Sequence, residues 1–147
     1  MGAATGARQR QELTPPLLDT SFIVRYLTND PPAMARRAAA VIESDTALAI
    51  SAVIVAEVAH VLRRVYGRPR EQIVDTLVDL VQRENLQPRG IDRATLVQAL
   101  LLCRPSGRVS FPDALLWAEA RSTGAGVVYS FDRQFPRAGI DVRDGTQ

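Results

Sequence analysis

At 147 residues the chain has room for one ordinary domain. Its 46% hydrophobic and 23% charged content, with a mean hydropathy of −0.03, excludes disordered and fibrous classes and leaves a globular chain with a core to bury. No apolar run approaches the roughly 18 residues of a membrane span, and no basic–apolar–small leader opens the sequence, so a cytoplasmic protein with no membrane partner is expected. The net charge of +2 is too small to imply nucleic-acid binding by itself. All 18 basic residues are arginine, which excludes a P-loop and Schiff-base chemistry. One cysteine, Cys103, and one histidine, His60, exclude an internal disulfide framework and zinc sites built on several Cys or His. Ser-His-Asp or Cys-His catalysis would hang on His60 alone.

Residues 1–14 are small and polar without apolar period and read as a disordered extension, leaving one domain over 15–147. Leu17-Leu18 reads as a short buried strand ending in Asp19. Phe22, Ile23, Tyr26 and Leu27 then fall at helical spacing between Thr20 and Thr28. Asn29-Asp30-Pro31-Pro32 breaks that helix and starts another, Ala33 to Glu43. Thr46 to Ile50 is apolar throughout, as a buried parallel strand would be. Ser51 caps a long helix, Ala52 to Tyr66, stopped by Gly67. Pro69 sits in the first turn of a helix running to about Glu84. Asp92 starts a helix over Arg93–Cys103, and Ser110 starts one through Arg121, ended by Gly124. Val127 to Ser130 is the clearest strand, and Ile140-Asp141-Val142 reads as a last edge strand. Apolar strands alternating with helices predict an α/β class, a three-layer α/β/α sandwich around a mostly parallel sheet.

In such sheets ligands bind at the carboxyl ends of the strands. Asp19 directly follows one strand and Asp132 lies two residues after another. Asp113 sits in the first turn of the Ser110 helix, and Glu57 lies within an otherwise apolar helix. Each acid also has a plain reading. Asp19 reads as a helix N-cap, Asp113 as part of a capping box, Asp132 as a turn residue and Glu57 as a surface partner of Arg64 or His60. On a helical wheel Glu57 falls about 90° from the centre of the Ile54, Val58, Val61, Leu62, Val65 stripe, at its border. Four carboxylates gathered at strand ends repel one another, and a hard divalent cation resolves that repulsion. Such an ion acidifies water and steadies phosphodiester oxyanions without histidine or lysine.

Leu17-Leu18-Asp19-Thr20-Ser21, the helix Ser51–Leu62 around Glu57, Phe111-Pro112-Asp113-Ala114-Leu115 and Val127-Val128-Tyr129-Ser130-Phe131-Asp132 come in the order and spacing of PIN-domain proteins. Over roughly residues 16–143 the chain resembles the VapC-type toxins of bacterial type II toxin–antitoxin pairs. The resemblance implies a PIN-like fold and a Mg2+- or Mn2+-dependent endoribonuclease acting on RNA. It makes Asp19 and Asp113 the principal metal ligands, Glu57 the residue that binds or activates the attacking water, and Asp132 the completion of the pocket. Thr20 or Ser21 orients Asp19. Ser130 stands where the family usually has threonine, which keeps the hydroxyl. Ser110 and Gln134 stand where many members carry a further acid, against a second tightly bound metal.

The resemblance also implies a homodimer and a VapB-like antitoxin whose C-terminal segment lies along a groove. Ala38, Val41, Val53 and Val55 read as apolar surplus suited to such a groove. Arg36, Arg37, Arg63, Arg64, Arg68 and Arg70 are candidate phosphate contacts, with ordinary solvated arginines as the equal alternative. Trp117 and Leu116 read as core or dimer interface, and His60 as a bystander. A phosphoacceptor receiver domain also clusters acids, but it needs a late lysine and paired acids after the first strand. An RNA-processing nuclease and an inactive PIN-like binding module stay open beside the toxin reading, although all four acids argue against the last.

Overall fold

The computed structural model describes residues 14–146, so the extension expected over 1–14 lies, apart from Thr14, outside the described residues. In chain order the described elements are α1 (Thr20–Thr28), α2 (Pro32–Ile42), β1 (Leu48–Ser51), α3 (Ala52–Arg64), α4 (Arg70–Val81), β2 (Leu86–Arg89), α5 (Arg93–Leu102), α6 (Phe111–Thr123), β3 (Val127–Tyr129) and β4 (Asp141–Arg143). The helix ends follow local chemistry. Asn29 closes α1 at φ 55°, a left-handed position that asparagine tolerates, and Gly124 closes α6 at φ 73°. Pro69 caps α4 from outside rather than sitting in its first turn, and α4 stops at Val81 because the chain must turn into β2.

The strands confirm the α/β class with parallel pairing. β1 and β2 run parallel with Leu48 beside Leu86 and Ser51 beside Arg89. β3 and β4 run parallel with Val127 beside Asp141 and Tyr129 beside Arg143. The Leu17-Leu18 strand is reduced to one bridge on β1, where Leu18 N–H donates to the Ala49 carbonyl (3.0 Å) and Ala49 N–H to that of Pro16 (2.8 Å). Among the described residues the ladder is therefore in two parts, one ending beside Asp19 and one beside Asp132. Sequence patterning does not predict β2, because Leu86-Gln87-Pro88-Arg89 is mostly polar and carries a proline. Proline is tolerated on an edge strand, where its missing N–H faces no partner.

The core joins both parts. Ile23, Ile42, Leu48, Ile50, Leu62, Ile73, Leu77, Leu86, Leu96 and Leu100 are fully buried. Helix α3 packs on α1, α4, α6 and β1, so it holds the position of every other layer. Ala38 and Val55, read from sequence as groove surplus, are core residues, while Val41 and Val53 do remain exposed. Trp117 is core as well, and Leu116 is partly exposed. Among the described residues no helix is long and apolar enough to cross a membrane.

A single arginine ties α4 to β2. The Arg93 guanidinium donates to the carbonyls of Val81 (3.1 Å), Arg83 (3.3 Å) and Leu86, all at the turn where α4 becomes strand. Its planar fork reaches the three acceptors at once, which an ammonium group cannot do. Hydrogen bonds from a charged donor contribute about 1.5–3 kcal/mol, and these act as one unit. Arg93→Ala is expected to lower stability by about 2 kcal/mol in urea denaturation, with Arg93→Lys recovering only part. An unchanged midpoint in Arg93→Ala would show that water replaces the fork at no cost.

Candidate active site

The chain enters the site where the bridge to β1 ends. Asp19, in extended backbone (φ −88°, ψ 159°), caps α1 by accepting the Thr20 N–H at 2.7 Å. Its second oxygen accepts the Ser21 hydroxyl at 3.0 Å. One carboxylate thus caps α1 and also accepts from Ser21. Asp19 opens into a cleft of about 630 Å³ that Glu57 enters from α3. The other walls include Ser21, Arg25, Ile54, Val61 and Tyr66. Glu57 is exposed to this cleft while Val55, Val58, Ala59 and Leu62 of the same helix are buried, so its place at the border of the apolar stripe holds.

The second pair of acids is built differently. Ser110 caps α6 by accepting the Asp113 N–H at 3.2 Å, which fixes Asp113 in the first turn. The β3–β4 connection folds back over α6. Phe135 is buried, and the Ala138 carbonyl accepts from Trp117 Nε1 (2.9 Å) and Arg121 Nη1 (3.1 Å). The Arg121 guanidinium lies over the Trp117 ring at 5.3 Å, completing the clamp. Asp132 sits on this connection in a closed turn, its N–H donating to Ser130 Oγ (3.0 Å) and its Oδ1 accepting the Gln134 N–H (2.8 Å). The Ser130 hydroxyl oxygen thus holds the backbone of Asp132.

These two supports bring Asp132 against Asp113. Burial pushes the Asp113 carboxyl above the usual carboxylate range, and the hydrogen bond and negative charge of Asp132 push it the same way, while the Ser110 hydroxyl opposes them. The four acids thus come as two pairs, Asp19 with Glu57 on one cleft and Asp113 with Asp132 in contact. Among the described residues no group of three or more Asp, Glu, His or Cys side chains is placed to hold a metal ion, so the donors available are pairs. A divalent ion of the magnesium type fits such a donor set, since it keeps several waters and takes one or two carboxylates. When both are ionised, the negative charge that Asp113 and Asp132 share is what a cation would neutralise.

Other nucleophiles fall away. Cys103 is buried and its thiol is pushed up to about 11, chiefly by burial, which leaves no thiolate near neutrality. Arg68 and Arg70 are already engaged, donating to the carbonyls of Leu27 (3.5 Å) and Cys103 (3.2 Å), with Arg70 over the Phe111 ring at 5.3 Å. Arg36, Arg37, Arg63 and Arg64 remain exposed. Sequence reasoning misses Arg25 and Tyr66. Arg25 donates to the Asp30 carbonyl (3.3 Å) and the Tyr66 hydroxyl (3.4 Å), and Tyr66 donates to Asp30 Oδ2 (3.0 Å), on the wall that Asp19 and Glu57 share. The i, i+4 relation of Ser21 and Arg25, one turn apart on α1, is the available signal.

Asp19 and Asp132, each following a strand segment, stand beside an acid of a neighbouring helix, Glu57 and Asp113, in a mixed α/β protein with parallel strands. The chain belongs to the PIN domain family, whose family model matches residues 17–141. A comparison with curated proteins finds no match. PIN domains are nucleases that act on nucleic acid and in general use divalent metal ions.

The raised Asp113 carboxyl yields a stability test. Below the ordinary carboxylate pKa its contribution is fully present, and it is lost as pH rises through the raised value. Asp132→Asn keeps the turn acceptor and removes the opposing charge. It is expected to raise the melting temperature of the metal-free protein at pH 7 and to flatten the fall in stability between acid and neutral pH. Thermal melts across pH check both, and a variant that melts lower throughout would show that the Asp132 charge is stabilising.

Proposed function

We propose that the chain is a Mg2+- or Mn2+-dependent endoribonuclease and the toxin of a VapBC-type toxin–antitoxin pair. The observation that carries the nuclease part is the Asp113–Asp132 contact, a pair of carboxyls with a raised member of the kind that gathers at functional sites. Asp19 and Asp113 would hold the ion, with Asp132 adding its charge beside Asp113. The ion supplies charge stabilisation at a phosphodiester and a lowered pKa for water. Ser21 keeps Asp19 turned into the cleft, and the Ser110 cap keeps Asp113 at the head of α6. Glu57 accepts the proton of the attacking water from the α3 side of the cleft. Exposed Arg36, Arg37, Arg63 and Arg64 supply phosphate contacts that position RNA without reading its sequence.

The toxin part rests on the surface beside the acids. A second cleft of about 430 Å³, lined by Ser21, Phe22, Arg25, Met34, Arg37 and Ala38, shares Ser21 and Arg25 with the first. Met34, Val53 and Val65 are exposed along these two clefts, which suits the apolar face of an antitoxin helix. An antitoxin arginine at the acids pairs with them in bidentate fashion and competes with the metal. Partly exposed Leu116 and the hollow formed by Val53, Ala56 and Pro112 around it favour a homodimer contact there.

Cleavage of RNA is expected to stop in EDTA and return with magnesium or manganese. Asp19→Asn and Asp113→Asn are each expected to lose on the order of a hundredfold in rate, as the removal of several kcal/mol of charge stabilisation implies. Undiminished cleavage by both variants would sink the mechanism. The toxin role is tested by growth on induction with and without the product of the adjacent gene. Arrest that the partner relieves, with inhibition weakening as magnesium rises, is expected; inhibition independent of magnesium would place the partner away from the acids.

A further inference from the structure

We propose that Phe131, with Tyr129 beside it, is a stacking platform for an unpaired base of single-stranded RNA flanking the scissile bond. The inference deepens the ribonuclease reading and rests on it. Phe131 is 90% exposed and Tyr129 70%, and they lie two residues apart on the run that ends in Asp132. A lone exposed apolar residue needs no explanation. This ring is held in place on both sides. Ser130 N–H donates to the Arg143 carbonyl at 2.9 Å before it, and the Asp132 turn closes on Ser130 Oγ (3.0 Å) and Gln134 N–H (2.8 Å) after it. Buried Phe135 anchors the connection a few residues on. The fold therefore keeps a whole aromatic ring in water next to an acid of the site without letting the loop turn it inward.

The company of the rings selects the ligand. Tyr129 stands beside Arg143 in the β3–β4 register, and its phenol hydrogen-bonds to that guanidinium. Arg143 also pairs with Asp141 at 2.8 Å, and exposed Arg133 follows Asp132. An apolar peptide helix seeks a continuous apolar patch, and these two rings are broken up by charged neighbours. Aromatic faces interleaved with guanidinium groups suit a nucleotide, with a base on the ring and phosphates near arginine. Bases in a duplex have both faces covered by their neighbours, so a free face belongs to an unpaired strand.

The test compares Phe131→Ala, Phe131→Leu and Phe131→Trp on a single-stranded oligoribonucleotide of mixed sequence. Base–aromatic stacking corresponds to a loss of roughly 5- to 100-fold on truncation. That loss in kcat/KM is expected for the Ala and Leu variants at unchanged melting temperature, with the Phe131→Trp variant retaining most of the activity. In an Asp113→Asn background, where cleavage is slowed, the indole fluorescence that Phe131→Trp adds to that of buried Trp117 is expected to be quenched by the same oligonucleotide. Wild-type rates in Phe131→Ala, activity in the leucine variant as high as in the tryptophan one, or an unquenched added indole would each overturn the platform. Quenching in a protein whose wild-type form cleaves no RNA would overturn the ribonuclease reading instead.

Discussion

Asp113 and Asp132 hold their carboxyl groups within hydrogen-bonding reach although they come from different elements, the head of α6 and the β3–β4 connection. Left to electrostatics the two would part, so the rest of the structure must press them together. Helix α6 cannot slide, because Ala114, Leu115, Trp117, Ala118 and Ala120 are all buried. The connection cannot lift, because Phe135 is buried beneath it and Ala138 is held by Trp117 and Arg121. Hydrophobic burial and a cation–π clamp thus offset a repulsion that does nothing for the fold itself. Perturbed carboxyls of this kind gather at functional sites, though structural networks produce them too.

The other acid pair is relaxed by contrast. Asp19 receives two donors, the Thr20 N–H and the Ser21 hydroxyl, and so stabilises the start of α1 as it faces the cleft. Capping and metal ligation need the same thing from the residue, an outward carboxylate in extended backbone at a helix start. The two readings of Asp19 are therefore not rivals. Only a substitution that keeps the acceptor and removes the charge can separate them, which is why asparagine is informative there and alanine is not. Of the four acids, Asp113 is the one whose carboxyl is raised, by burial first and then by the hydrogen bond and charge of Asp132.

Local signals in the chain carry most of this. Ser110, Gly124, Asn29 and Gly67 mark helix ends because their chemistry acts within a few residues, and each does so in the structure. The acids at strand ends are legible because short apolar runs point at them. What is not legible depends on partners far along the chain. Strand β2 has no apolar alternation and exists because β1 supplies its ladder. Ala38 and Val55 read as surplus on a wheel, yet they are buried, since a helix that packs against several neighbours hides more than one face. The contact of Asp113 with Asp132 likewise depends on the β3–β4 connection held at Ala138, which no spacing encodes.

Arginine usage shows the same limit in a sharper form. With no lysine in the chain, one residue type must serve as internal staple and as external charge. Arg68, Arg70, Arg83, Arg93 and Arg121 donate to backbone carbonyls that end helices or turns, where a planar fork satisfies acceptors that would otherwise need water. Arg36, Arg37, Arg63 and Arg64 lie on exposed helix faces instead. Sequence spacing treats Arg64 and Arg68 alike, and the structure separates them by whether a carbonyl lies within reach. Charge counted over the whole chain therefore overstates what is available to a polyanion. The effective basic surface is the subset whose guanidinium groups the fold has not already used, and it includes α2 and the end of α3, the helices that border the acid cleft and its neighbour, and Arg133 beside Asp132.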